Sequence, residues 1–168
     1  MSEKKNTAGA ANEEQMGMAI VAQYIKDLSF EKLNSLSQED AAKQAPQVEV
    51  SMKVEANKKM DPGLSSDIYA VSLIINIDVN HAKAKKLFLL ELNYTGEFEL
   101  RGISGEMLNP ILYIECPRIL FPFARSIIAS TMSESGFPLY LAPVNFLEMY
   151  QQQAQQQAQA NENNKTLQ

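Results

Sequence analysis

Alternation of apolar and polar residues organises the first hundred positions. In Asp67–His81, Tyr69, Val71, Leu73, Ile75, Ile77 and Val79 fall on one face and Ile68, Ala70, Ser72, Ile74, Asn76 and Asp78 on the other. Successive side chains leave a strand on opposite sides, and the β-branched content agrees, so this is a strand. Lys86–Leu100 repeats the pattern, with Phe88, Leu90, Leu92, Tyr94, Phe98 and Leu100 opposite Leu87, Leu89, Glu91, Asn93, Thr95, Glu97 and Glu99. Gly96 within it suggests a bulge. Val48, Val50, Met52 and Val54 alternate with Glu49, Ser51, Lys53 and Glu55. Within Met16–Lys32, Tyr24, Lys26, Leu28 and Phe30 are expected on one face and Ile25, Asp27, Ser29 and Glu31 on the other. Asn34–Pro46 reads as a polar loop with a helical turn. Asp61-Pro62-Gly63 and the polar stretch His81–Lys85 read as turns. Four strands joined mostly by short connections predict an antiparallel sheet, because parallel neighbours need long crossovers.

The period then changes. Arg101–Ile114 reads as a loop and a short helix that breaks before Pro117. Pro117 suits the first turn of the next helix, where its missing N–H is unpaired anyway. Ile119, Leu120, Phe121, Phe123, Ala124, Ile127, Ile128, Ala129 and Met132 follow. That is more than the single stripe of an amphipathic surface helix. One side would lie on the sheet and another on a second subunit. Gly136 occupies a left-handed cap position, Pro138 and Pro143 hold the following segment extended, and Asn145 caps a last helix through Tyr150. Strands followed by helices predict an α+β fold, a four-stranded antiparallel sheet with helices packed on one face. Residues 1–15 read as a disordered segment, 16–153 as one domain, and 154–168 as a flexible Gln-rich tail.

Composition narrows the function. The chain has 168 residues, 45% of them hydrophobic, and a net charge of −5. An acidic chain lacks the clustered Lys and Arg that phosphate backbones require, which argues against nucleic acid as a partner. Lys58-Lys59 and Lys83, Lys85 and Lys86 read as solvated charges at strand ends. One cysteine, Cys116, allows no internal disulfide, which fits a reducing cytoplasm. No apolar run reaches the ~18 residues of a membrane span, and the N-terminus lacks a signal peptide's apolar core.

A catalytic centre does not assemble. His81 is the sole histidine, expected in a turn and solvated, and one His with one Cys cannot build a zinc site. No phosphate-binding or dinucleotide-binding glycine pattern occurs. No cofactor, metal or catalytic residue is expected. Two surfaces remain. Asp27, Glu31, Leu89 and Glu91 share the sheet face left open by the helices, as an ordinary solvated face or as an acidic docking patch for a basic partner. Phe121, Phe123, Phe137, Tyr140, Phe146 and Tyr150 concentrate aromatics within thirty residues, as core or as the wall of a groove for extended apolar peptides gripped through a strand edge. Met52, Met132 and Met149 would let such a groove adapt. A closed pocket for a small ligand, or for an unrecognised enzymatic reaction, is the alternative.

Pro117-Arg-Ile-Leu-Phe-Pro-Phe-Ala-Arg125, Gly136-Phe-Pro138 and Leu141-Ala-Pro-Val-Asn-Phe146 closely resemble the SecB family of bacterial protein-export chaperones, with several prolines and aromatics in register. Tyr24-Ile-Lys-Asp-Leu-Ser-Phe-Glu31 and Phe88-Leu-Leu-Glu-Leu92 are similar to the family's first and fourth strands. The resemblance covers roughly Tyr24 to Gln153. It implies a cytosolic, ATP-independent holdase that keeps unfolded precursor proteins translocation-competent and delivers them to the SecA motor of the Sec pathway. It implies a homotetramer, a dimer of dimers, whose contacts bury the second side of the long helix, with Ile119, Ile127, Ile128 and Met132 as interface residues. It assigns SecA binding to Asp27, Glu31, Leu89 and Glu91, and the peptide groove to Val48, Val50, Met52, Leu120, Phe123 and Tyr150. Where many relatives carry a tryptophan before the second strand, this chain reads Lys43-Gln-Ala-Pro46 and contains none. A relative dedicated to one client, such as an antitoxin-associated chaperone, is a narrower form of the same reading.

Overall fold

A computed structural model describes residues 16–59, 67–81 and 85–165. The predicted disordered N-terminal segment and the turns at Asp61-Pro62-Gly63 and 82–84 lie outside the described residues.

Four strands form one antiparallel sheet: β1 (Gly17–Lys32), β2 (Gln47–Lys59), β3 (Asp67–His81) and β4 (Lys85–Arg101). Their spatial order is β1-β4-β3-β2, so the first strand lies beside the last, a Greek-key arrangement. The connection from β1 to β2 therefore crosses the whole sheet end, and it carries the short helix α1 (Gln38–Lys43). Backbone and side-chain bonds fix this crossover: Leu33 N–H donates to the Leu87 carbonyl at 2.9 Å and Asn34 Nδ2 to the Lys86 carbonyl at 2.7 Å. His81 belongs to it as well. It is the last residue of β3, buried, and its Nε2–H donates to the Gln44 carbonyl at 3.1 Å. The solvated turn histidine expected from sequence is thus a structural tie, because the crossover folds over the strand end.

The core lies between the sheet and the helices. Val71, Leu73, Ile75, Ile77 and Val79 of β3 and Leu90, Leu92, Phe98 and Leu100 of β4 all fall on the covered face, and each is essentially inaccessible. On the open face the buried hydroxyls of Ser72 and Thr95 bond each other at 2.8 Å, so neither is orphaned.

β1 departs from simple alternation. Its register against β4 slips between Ile20 and Ala22 and again between Ile25 and Asp27, leaving Val21 and Lys26 as extra residues. Each bulge reverses which side chains face which way. Ile25 therefore joins Leu28 and Phe30 on the covered side, opposite Tyr94, while Tyr24 joins Asp27, Ser29 and Glu31 on the open side, opposite Thr95. Both are the reverse of the sequence expectation. Gly96 is not a bulge, since it pairs in unbroken register with Val71 and Gln23.

The helical half begins with a 3-10 turn (Gly105–Met107), a single α turn, α2 (Leu108–Pro110), and a π turn (Ile111–Glu115), which run directly into α3 (Cys116–Glu134). The expected break before Pro117 does not occur. Widening to i→i+5, with Cys116 N–H donating to the Ile111 carbonyl, lets the chain pass the proline that cannot donate. Along α3, Cys116, Leu120, Ala124, Ile128 and Met132 form one fully buried stripe at spacing i+4. Gly136, at φ 82°, ends it: Phe137 N–H reaches the Met132 carbonyl and Gly136 N–H the Ser133 carbonyl, the paired bonds of a left-handed C-cap. After an extended segment, Asn145 Oδ1 accepts from Glu148 N–H at 3.3 Å and starts α4 (Phe146–Lys165).

Candidate functional site

Two surfaces stand on opposite faces of the same sheet. On the open face, register places Glu31 beside Leu89, Leu89 beside Asp78 and Asp78 beside Glu49, a row across all four strands. The next row is Ser29, Glu91, Asn76 and Ser51, and Asp27 lies opposite Asn93 one row further. The four residues singled out from alternation are thus brought together, with half-buried Leu89 among the acids. They meet because β1 is regular from Asp27 onward, beyond its second bulge.

Most ion pairs lie toward the other end of this face, while in the acidic row Asp78 is held by Lys86. Glu97 accepts from Lys59 Nζ at 2.6 Å and from the Tyr24 hydroxyl at 3.0 Å, and the Lys59 bond first holds its carboxyl below the usual range. Glu99 pairs with Arg101, Glu55 with Lys53, Asp67 with Lys58 and Asp78 with Lys86. Lys58, Lys59 and Lys86, expected as solvated charges at strand ends, remain about half exposed and also take part in these pairs. Among the described residues, Asp27, Glu31, Glu91 and Glu49 make no ion pair.

The second surface lies at the β2 edge on the covered side. Val48 and Val50 are 38% and 45% exposed, and Met52 is partly covered. Continuing along the strand, Val54 and Ala56 floor an open cleft of about 890 Å³. Asn109, Tyr113, Tyr150, Gln153 and Ala154 form its other wall. Tyr113 and Tyr150 stack with ring centroids 6.1 Å apart, so the π turn and α4 meet there. Sequence reasoning reached Tyr150 and missed Tyr113, Asn109 and Gln153. The missing N–H of Pro117, just downstream of Tyr113, was the available signal for a widened turn.

The other residues the resemblance assigned to the groove lie elsewhere. Leu120 is fully buried against β4. Phe123 is 49% exposed on the opposite flank of α3, stacked on Tyr94 at 6.3 Å and next to β1. The expected oligomer residues divide too. Ile128 and Met132 are fully buried in this chain's own core, while Ile119 and Ile127 stay partly exposed on one stripe with Phe123. Beside that stripe Met18, Ile20, Ile25 and Leu28 leave an apolar strip of β1 uncovered. Cys116 is buried with its Sγ 3.8 Å from Met18 Sδ, and burial, aided by Glu115, pushes its thiol up to about 12. It is chemically quiet at neutral pH. Among the described residues no group of His, Cys, Asp and Glu could hold a metal, and no helix is long and apolar enough to cross a membrane.

Comparison with known proteins fits this geometry. The sequence profile of the family described as "Preprotein translocase subunit SecB" matches residues 11–157. A protein-export protein SecB of Granulibacter bethesdensis is 36% identical over 161 residues, covering 92% of each chain. That of Bradyrhizobium diazoefficiens is 41% identical over 142 residues, covering 84% of each. Among solved structures, a SecB-like chaperone of Mycobacterium tuberculosis, determined in complex with a peptide from an antitoxin, shares the fold with a TM-score of 0.59. It is 11% identical and covers 76% of this chain and 90% of its own. Family profile, relatives and fold agree: the chain belongs to the SecB family of protein-export chaperones, which are not enzymes.

Proposed function

We propose that this protein is an ATP-independent holdase of the bacterial cytoplasm that grips unfolded precursor segments along β2 and the Tyr113–Tyr150 cleft, and presents them to SecA through the acidic end of the open sheet face. One observation carries the reading: Glu31 and Leu89, which alternate with Phe30 and Phe88 on the same strands, face away from the apolar side of the sheet, so client and motor can be engaged at once. Asp27, Glu31, Glu91 and Glu49, which make no ion pair among the described residues, favour a basic partner, and Leu89 offers it an apolar contact. The open cleft, lined by both aromatics and amides, suits an extended polypeptide rather than an enclosed metabolite.

The working unit is a homotetramer, a dimer of dimers. Ile119, Phe123 and Ile127 with the uncovered apolar strip of β1 are its candidate contacts, in place of the inward-facing Ile128 and Met132. Four grooves on one particle would let many weak client contacts sum by avidity. Asp27→Lys with Glu91→Lys tests the separation of surfaces: SecA binding should weaken while binding of an unfolded precursor persists. Loss of both together would refute it.

A further inference from the structure

One acid of the open face is already matched. Register sets Glu31, Leu89, Asp78 and Glu49 side by side across the sheet, and Lys86 Nζ stands 3.0 Å from Asp78 Oδ1. Simple alternation would not put the lysine there. On β4, Phe88 and Leu90 face the core while Leu89 and Glu91 face the open side, so Lys86 would follow Phe88 inward. The register against β3 shifts instead: Val79 lies opposite Phe88, and Asn80 opposite Lys86. Leu87 is the extra residue of this bulge and is fully buried. The bulge re-aims Lys86 to the side of Asn80 and Asp78. The crossover from β1 to β2 holds it in place. The Leu87 carbonyl accepts from Leu33 N–H at 2.9 Å and Asn34 N–H at 3.3 Å, and the Lys86 carbonyl accepts from Asn34 Nδ2 at 2.7 Å. The backbone at Lys86 is thus tied down, while its side chain is 57% exposed and can leave Asp78.

Resting on the reading of this face as the SecA-docking surface, we propose that Lys86 is a built-in competitor for the docking partner. It occupies Asp78 as an internal counter-ion, and a basic side chain of the partner displaces it to complete the row. An exposed ion pair is weak, so this exchange is easy. The cost falls on attraction. Glu31, Glu49 and Glu91 make no ion pair among the described residues, and a fixed cation among them lowers both the affinity for a basic partner and the steering of its approach. Docking tempered in this way is more readily reversed, as repeated delivery requires.

The test compares Lys86→Gln with Lys59→Gln in the full-length protein, with purified SecA as the probe. Each removes one lysine that pairs with a carboxylate of the open face. Glu97, the partner of Lys59, lies opposite Ala70, roughly 25 Å along β3 from Asp78 at ~3.3 Å per residue. That is well beyond the ~8 Å screening length of physiological salt. Lys86→Gln should tighten SecA binding about three- to tenfold, with a gain that shrinks as salt is raised, and should leave binding of an unfolded precursor unchanged. Lys59→Gln should alter SecA binding less than about twofold. Unchanged or weaker SecA binding by Lys86→Gln, or an equal gain from Lys59→Gln, overturns the proposal. If Asp27→Lys with Glu91→Lys also leaves SecA binding unaltered, the docking reading itself fails.

Discussion

Leu120 of α3 rests on the bare backbone of Gly96 in β4. A β-carbon at position 96 would stand 2.7 Å from Leu120 Cδ2 and 2.7 Å from the Phe98 ring. The glycine is there for close approach of helix to sheet, not for an unusual backbone angle.

Gly96→Ala should therefore destabilise the fold, by about 1–3 kcal/mol as for other overpacked cores. The expected result is a lower urea midpoint with an unchanged slope, measured at fixed protein concentration. In a Leu120→Ala background, itself destabilised, Gly96→Ala should cost less than in the parent, so the two effects will not add. A Gly96→Ala protein as stable as the parent would show that the contact is slack.

Cys116 links stability to alkaline pH. Burial, then Glu115, raises its thiol to about 12, while in the unfolded chain it ionises near the ordinary thiol value of 9.0. The folded state keeps a proton that the unfolded state releases, so this contribution is intact below pH 9 and is lost as pH rises toward 12. Unfolding free energy should fall by up to about 1.4 kcal/mol per pH unit above 9 from this group. Cys116→Ala should remove that share of the slope, read from urea titrations at pH 8 to 10.5. Thiol reagents at pH 8 should label the native protein only as fast as it unfolds.

Asn145 starts the helix that walls the cleft. Asn145→Ala should cost about 1 kcal/mol of stability, and Asn145→Gly only a few tenths. Because Phe146, Met149 and Tyr150 are the described α4 residues that pack on the core, the alanine variant should also lose helical circular dichroism and bind an unfolded precursor several-fold more weakly. Unchanged client binding would separate α4 from the groove.

Tyr150 and Phe123, assigned to one groove by resemblance, lie on different flanks of α3. Tyr150→Ala should weaken client binding by several-fold at unchanged assembly. Phe123→Ala should lower the mass seen by light scattering while leaving the affinity of each chain for client intact. The opposite pattern would place the client on the β1 flank.

The acidic end of the open face was almost fully legible in the amino-acid pattern, and the cleft was not. Asp27, Ser29 and Glu31 lie in an uninterrupted run, as do Leu89 and Glu91, so period-two counting put them on one face. Tyr24 and Ile25, just across the Lys26 bulge, were assigned to the wrong faces. A bulge exists only relative to a partner strand, and nothing local to β1 announces that its partner is β4. The cleft escaped for a similar reason. It forms between β2 and α4, residues about a hundred positions apart, with Tyr113 of the π turn between them.

Local periodicity and cap chemistry thus settled the strands, the long helix, the left-handed stop at Gly136 and the Asn145 cap, because these rest on neighbours within a few positions. Motifs of prolines and aromatics in register were enough to identify the family. Tertiary structure alone decided that β1 lies beside β4, that helix continues through Pro117, that Ile128 and Met132 turn inward, and that Phe123 and Tyr150 part company. Those outcomes depend on which distant surfaces compete to be buried, and burial is a property of the folded chain that no short window contains.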